Sequence, residues 1–272
     1  MHKQILFSLF IVSVCFQSCK KPKNTPPAKF TGCRISMITE TPSDTTTTPR
    51  TTYRFYYNDD GKVQHIYAYV PASPASSYYY YYQTQSHYIY FAYNGNIIQA
   101  RTVYGQQTIP SNIDTVILDA QSRITQIDHN GYYGSYDPQW DSYQYTDSGT
   151  VWLHNSNNYG NFFTDTLLWQ GGDLVKDTRI VEGSYDPTDI YNYTYFDTLY
   201  NTGNISAMPA ELEKYGRSVF TSKHLVKQIF DSRTDSTWTY NYILDTGGKI
   251  TEITTSVAGN ISNKTQIAYL CE

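Results

Sequence analysis

Residues 53–69 read YRFYYNDDGKVQHIYAY, which is an aromatic run, a turn signal and a second run of β-forming residues. The turn signal is the DDG of residues 59–61, because aspartate and glycine accept the backbone angles of a tight hairpin turn. After the turn comes KVQHI at 62–66, in which a basic residue precedes two apolar residues three positions apart. The segment therefore predicts a β-hairpin.

The same pattern returns along the chain, which indicates a repeated hairpin. Residues 115–127 read TVILDAQSRITQI, and residues 240–253 read YNYILDTGGKITEI. Looser versions occupy residues 88–100, 143–153 and 164–175. Repetition of this kind predicts neighbouring units that stack and share one core.

The spacing of Val63 and Ile66, repeated at Ile124/Ile127 and at Ile250/Ile253, departs from strict alternation. In a regular strand, residues three apart face opposite sides of the sheet. Beside a glycine turn and among β-branched residues, this spacing favours a bulged or twisted strand over a helix. We expect Ile127 and Ile253 to face the inside of the sheet.

The repeated pattern resembles the tyrosine–aspartate repeats of Rhs-type bacterial proteins. It resembles even more closely a group of Bacteroidota envelope lipoproteins of unknown function that use such hairpins in one long sheet. The resemblance covers most of residues 33–271. The irregular intervals between the hairpins favour a curled antiparallel sheet over a closed shell of the Rhs type. The predicted fold is all-β, a single domain over residues 32–272, with one short helix near 209–215.

The first residues predict a secretion signal and a lipid anchor. The apolar run from Ile5 to Phe16 is too short to span a bilayer, so residues 1–18 fit a signal peptide. Ser18-Cys19 resembles a bacterial lipobox, which implies cleavage before Cys19 and acylation of that cysteine. Residues 19–31, rich in lysine and proline, then form a tether. The alternative is an ordinary cleaved signal that leaves Cys19 as a free thiol.

The predicted location is therefore the bacterial cell envelope, with the chain lipid-anchored to the outer membrane on its periplasmic or surface face. The resemblance implies the membrane as one partner, through acyl chains at Cys19. The formal net charge is −4 and no stripe of basic residues appears, so nucleic acid is excluded as a partner.

Motifs for catalysis are absent from the sequence. The histidines lack metal-ligand spacing, no G-x-S-x-G elbow occurs, and the Gly-Gly pairs fit turns better than phosphate loops. We therefore expect a non-enzymatic protein with no cofactor and no metal. One alternative is a glycan hydrolase that uses the carboxylate pairs Asp59/Asp60 or Asp137/Asp141. Calcium at the Asp/Asn/Gly turns is a further alternative.

The chain has 29 tyrosines, and eight of them lie in residues 76–95. One interpretation is structural: tyrosines in cross-strand pairs stabilise a broad sheet. The other is a ligand platform on which exposed rings stack against sugars or grip peptides. Its predicted members are Tyr78, Tyr80, Tyr82, Tyr88 and Tyr90. The predicted function is an envelope binding or structural module with a glycan or an envelope protein as possible partner. A surface carbohydrate-binding lipoprotein is the alternative.

Two cysteines remain besides the predicted lipidation site, and they lie at the two ends of the β domain. Cys33 opens the domain and Cys271 closes it, each in a run of β-forming residues. Outside the cytoplasm two such thiols are expected to form a disulfide. The alternative is two independent buried cysteines. A bridge requires close Cα atoms, so the first and last strands must be neighbours. Either the sheet closes on itself, or its two ends run side by side.

Overall fold

The computed structural model describes residues 32–43, 50–71, 86–105, 110, 112–130, 139–146, 149–156, 161–181, 188–201 and 222–271. These residues form strands and turns, and none of them is helical. No helix in these ranges has the length and apolar character needed to cross a membrane. The predicted signal peptide, the tether and the helix near 209–215 lie outside the described residues.

The described residues form sixteen strands that follow one another in chain order, joined by turns or by connecting segments. They are β1 (Cys33–Pro42), β2 (Thr51–Tyr57), β3 (Val63–Tyr69), β4 (His87–Asn94), β5 (Ile97–Tyr104), β6 (Asn112–Leu118), β7 (Ile124–Asn130), β8 (Gln139–Tyr145), β9 (Gly149–Ser156), β10 (Asn161–Gln170), β11 (Asp173–Val181), β12 (Thr188–Tyr200), β13 (His224–Asp231), β14 (Ser236–Leu244), β15 (Ile250–Val257) and β16 (Asn260–Cys271).

Every strand pairs antiparallel with its neighbours in the sequence, and β1 also pairs with β16. The predicted all-β fold, a curled antiparallel sheet of repeated hairpins, is confirmed, and the curl is complete because the sheet closes into a barrel. The β1–β16 register runs from Cys33 opposite Cys271 to Pro42 opposite Asn263. A disulfide joins Cys33 to Cys271, with their Cα atoms 4.0 Å apart, as the sequence predicts.

Apolar side chains from alternate strand positions fill the barrel interior. The core includes Ile38, Phe55, Ile66, Ile98, Val116, Ile127, Leu167, Leu174, Ile229, Ile253 and Ile267. Ile127 and Ile253 face inward and are buried, so this prediction is confirmed. Because each of these strands has a buried face and a solvent-facing side, the alternation also fixes the pairing register.

The barrel has two different ends. At the end that we call the turn end, the Cys33–Cys271 disulfide lies beside tight turns such as residues 58–62, 119–123 and 245–249. At the opposite end, the loop end, β1 leads to β2, β3 to β4 and β13 to β14. Since strands alternate in direction, every second connection returns to the same end.

Six strands share one structural unit at the turn end, and this unit explains the repeated sequence pattern. Each strand contains a bulge, so that one residue has no partner across the strand. These residues are Ser36, Gln64, Thr125, Val175, Lys227 and Thr251. The extra residue brings the apolar side chains on both sides of it to the interior face. The predicted bulge is therefore confirmed.

A tyrosine on the next strand fastens each unit. Its hydroxyl donates a hydrogen bond of 2.6 to 2.9 Å to the carbonyl of the residue before the bulge. The pairs are Tyr57–Ile35, Tyr93–Val63, Tyr145–Ile124, Tyr195–Leu174, Tyr242–Val226 and Tyr269–Ile250. In four units the preceding Lys or Arg lies over the same tyrosine ring, 4.1 to 5.9 Å from its centre. The basic residue of the pattern thus covers the ring with a cation–π contact.

Candidate functional site

The outer wall of β2, β3 and β4 carries a continuous group of rings, which we call the aromatic face: Tyr56, His65, Tyr67, Tyr88 and Tyr90. These strands pair directly, with His65 opposite both Tyr56 and Tyr90, and Tyr67 opposite Tyr88. The rings of Tyr56 and His65 stack at 4.3 Å between centres, those of Tyr67 and Tyr88 lie 4.7 Å apart, and those of Tyr88 and Tyr90 lie 5.7 Å apart.

The aromatic face is open to solvent at its two flanks. Tyr56 is 41% exposed and Tyr90 is 44% exposed, whereas His65 between them is partly covered. This burial lowers the pKa of His65, so its ring is uncharged at neutral pH. Arg101 lies opposite Tyr90 and donates a hydrogen bond to Gln99. Flat rings bordered by hydrogen-bonding groups suit a ligand with an apolar surface and polar edges.

The structure places only part of the predicted platform. Tyr88 and Tyr90 lie on the aromatic face, while Tyr78, Tyr80 and Tyr82 lie outside the described residues. Tyr56, His65 and Tyr67 were not predicted as members of the platform. They reach Tyr88 and Tyr90 only through the pairing of β2, β3 and β4, and no local sequence signal indicates which strands pair.

A second group of polar residues lies inside the barrel, toward the loop end. We call it the acidic belt; its carboxylates are Asp114, Asp141, Asp165, Asp177, Asp189 and Asp231, all buried. His129 bridges two of them, with Nδ1 3.1 Å from Asp114 and Nε2 2.9 Å from Asp141. A histidine between two carboxylates holds three neighbouring strands together.

Asp165 and Asp177 differ in how their charge is balanced. The Arg179 guanidinium donates two hydrogen bonds, of 2.9 and 2.8 Å, to the two oxygens of Asp165. Such a bidentate pair satisfies a buried carboxylate well. Asp177 is only 2% exposed, and its Oδ1 has no hydrogen-bond partner among the described residues. A buried polar atom without a partner is unfavourable for folding.

Asp177 also breaks the repeated unit. Two positions after the bulge, the other five units have isoleucine: Ile38, Ile66, Ile127, Ile229 and Ile253. In the sixth unit the bulge is at Val175, and the equivalent residue is Asp177. An acidic residue at a core position occupied elsewhere by isoleucine is a departure of the kind expected at functional sites. The sequence carries this signal only when the hairpin of residues 164–175 is extended by two residues, to Asp177, and aligned with the others.

Burial and, to a smaller extent, the nearby Asp165 raise the pKa of Asp177 to about 7, although the Arg179 guanidinium opposes the shift. Between about pH 4 and pH 7, the folded protein therefore keeps a proton that the unfolded chain has released. Asp177 should make the free energy of unfolding fall as pH rises through this window, with a slope of up to about 1.4 kcal/mol per pH unit, and then level off. Urea unfolding of the native chain and of Asp177→Asn across this range measures the difference. A constant difference at all pH values would contradict the assignment.

The structure does not bring the carboxylates proposed for a hydrolase into a cleft. Asp59 and Asp60 are exposed in the turn between β2 and β3, and Asp137 lies outside the described residues. Asp141 is buried and engaged by His129. In the described part of the chain, no three His, Cys, Asp or Glu side chains are grouped to hold a metal ion.

Comparisons with known proteins show likeness of fold. No family model matches the chain. No curated protein matches it either. A porin-like protein from Bacteroides uniformis ATCC 8492 superposes with a TM-score of 0.60 at 13% identity, covering 88% of this chain and 96% of that one. A porin-like protein from Bacteroides vulgatus ATCC 8482 gives 0.56 at 12% identity, covering 87% and 98%. This chain therefore shares its fold with porin-like proteins of Bacteroides.

Proposed function

We propose that this chain is a non-enzymatic, lipid-anchored protein of the bacterial cell envelope that binds glycans through its aromatic face. The observation that carries the proposal is the row of rings on β2–β4, of which Tyr56 and Tyr90 remain open to solvent. A contiguous group of large, partly exposed rings on an outer wall is a candidate interaction site. Aromatic rings bind the apolar faces of sugars, and neighbouring amide and guanidinium groups bind their hydroxyls.

The location in the envelope is supported by two observations of different kinds. The fold is shared with porin-like proteins of Bacteroides. The sequence around Cys19 resembles a lipobox, and acyl chains there supply the anchor.

The distribution of side chains supports attachment through a lipid rather than through the barrel wall. Apolar residues fill the interior, whereas outward positions such as Asn192, Thr194, Lys227, Lys264 and Gln266 are polar and exposed. Exposed aliphatic side chains also occur on the wall, and they lie near the ends of their strands: Leu168, Ile180, Ile243, Ile261 and Leu270. Barrels that span a membrane have the opposite arrangement, with an apolar band facing lipid.

The test is binding of the soluble chain, residues 20–272, to an array of glycans and peptidoglycan fragments. We expect at least one glycan to bind, and the double variant Tyr56→Ala/Tyr90→Ala to weaken that binding about tenfold or more. Each lost aromatic contact contributes about 0.5–1.5 kcal/mol, and 1.4 kcal/mol corresponds to a factor of ten.

The matched control is Tyr200→Ala. Tyr200 is a 56% exposed tyrosine that also packs against a histidine, with its ring centre 4.8 Å from that of His224. It lies on β12, across the barrel from β4, so its removal should leave glycan binding unchanged. If no glycan binds, or if the control loses as much affinity as the double variant, the aromatic face is not the binding site.

A further inference from the structure

The surroundings of Asp177 form a row of three side chains on the inner wall. Asp177 on β11 lies opposite Tyr191 on β12, and Tyr191 lies opposite Asp231 on β13. Residues that are directly opposite point to the same side of the sheet, so both carboxylates flank the Tyr191 ring on the interior face. Neighbouring strands are about 4.8 Å apart, which separates the two aspartates by about 10 Å at their Cα atoms.

Among the described residues, neither carboxylate in this row forms a salt bridge, although the Arg179 charge acts on Asp177 from a distance. The Oδ1 of Asp177 has no hydrogen-bond partner among the described residues. Asp231 accepts its bonds from the backbone N–H of Arg233 and the hydroxyl of Thr234, at 2.9 Å each. The cations nearby are engaged elsewhere: Arg179 binds Asp165, and the exposed Arg233 guanidinium lies 3.5 Å from Asp189. The row therefore offers two acidic groups to an incoming cation.

Apolar side chains line the row toward the turn end. Leu174, Tyr193 and Ile229 are the next inward-facing residues toward the turn end on β11, β12 and β13, respectively. All three are buried. An alkyl chain lying along the Tyr191 ring would contact these residues, while a charged group at each end of the chain would reach a carboxylate. Two charged ends joined by a short alkyl chain define a linear diamine.

From this geometry we propose that the inner wall of β11–β13 binds a linear aliphatic diamine, with one ammonium group at Asp177 and the other at Asp231. This inference concerns the barrel interior and is independent of the glycan site on the outer wall. It explains why a costly acidic residue stands at a position where five equivalent units have isoleucine. Retaining an unfavourable buried group is common where function requires it.

The test is isothermal titration calorimetry of the mature chain with putrescine. At pH 8 we expect binding, whereas butanediol, which has a similar chain without charge, should not bind. The charged and titratable groups that act on Asp177 from its own and the adjoining strands are Asp165, Arg179, Tyr191 and Tyr193. Because the pKa of Asp177 lies at about 7 and the diamine binds the ionised form, the affinity should be about tenfold higher at pH 8 than at pH 6.

Two variants of Asp177 make the test specific. Asp177→Asn keeps the shape of the side chain and removes its charge, and Asp177→Ile restores the residue of the other units. Both should lose putrescine binding at least about tenfold, while Asp177→Ile should melt at a temperature no lower than the native chain, because it fills a core position. The proposal is overturned if the native chain gives no binding at pH 8, if butanediol binds equally, or if Asp177→Ile retains the native affinity.

Discussion

Replacing Ile127 by aspartate is expected to destabilise the protein by more than about 4 kcal/mol, enough to prevent folding in a chain of ordinary stability. Ile127 is 2% exposed and belongs to the main core cluster. The substitution removes about 2–3 kcal/mol of apolar burial and adds the larger cost of an unpaired carboxylate in the interior. Thermal and urea unfolding, followed by circular dichroism, measure the loss.

The matched control for this substitution is Thr125→Asp, two residues earlier on the same strand. Thr125 is the bulge residue, and its hydroxyl donates a 3.1 Å hydrogen bond to the Ile117 carbonyl. Its replacement should cost about 1 kcal/mol for the lost bond, because the new carboxylate reaches water. If Ile127→Asp does not fold, Ile127→Val should still show a loss of about 0.5–1.5 kcal/mol. Equal losses for both aspartate variants would contradict the inward position of Ile127.

Removing the disulfide is the second large change that we expect. The bond between Cys33 and Cys271 joins residues 238 positions apart, so it restrains almost the whole domain in the unfolded state. Loop-closure entropy gives an upper estimate of about 5 kcal/mol, and measured effects are usually smaller. Urea unfolding of Cys33→Ser/Cys271→Ser against the oxidised native chain should show a loss of about 2–5 kcal/mol.

The presence of the bridge is tested separately by mass. Iodoacetamide treatment of residues 20–272 under denaturing, non-reducing conditions should leave both cysteines unmodified. Two carbamidomethyl additions would show free thiols and contradict the bridge. A stability loss well below 2 kcal/mol with the bridge present would instead show that the pairing of β1 with β16 already restrains the unfolded ensemble through residual structure.

The features that the sequence predicted correctly are mostly local. A turn signal between two β-forming runs determines a hairpin over a few residues, so the repeated hairpins could be recognised at 53–69 and 240–253. The bulge follows from the same local reasoning, because it reconciles the spacing of Val63 and Ile66 with one buried face. The Cys33–Cys271 bridge was predicted because the expected compartment is oxidising and because only two cysteines lie in the β domain.

The features that the sequence did not predict depend on contacts between distant segments. The aromatic face requires three strands in register. The predicted disulfide made the first and last strands neighbours, but it did not decide between a sheet that closes through β1–β16 pairing and two ends that run side by side. The hydrogen bonds of the tyrosines that fasten the units could not be predicted from the sequence, because each hydroxyl donates to a carbonyl 16 to 30 positions away. Asp177 was detectable in principle, because the repeat predicts isoleucine at its position.

Closure of the sheet also limits how this protein can recognise other polypeptides. An open sheet presents a row of unpaired backbone groups, onto which a foreign strand can be added or on which aggregation can begin. Here β1 pairs with β16, so the sheet formed by the described strands has no free edge strand. A partner that docks on the barrel wall must therefore contact side chains rather than pair with backbone groups. Its selectivity depends on the rings and charges of that wall.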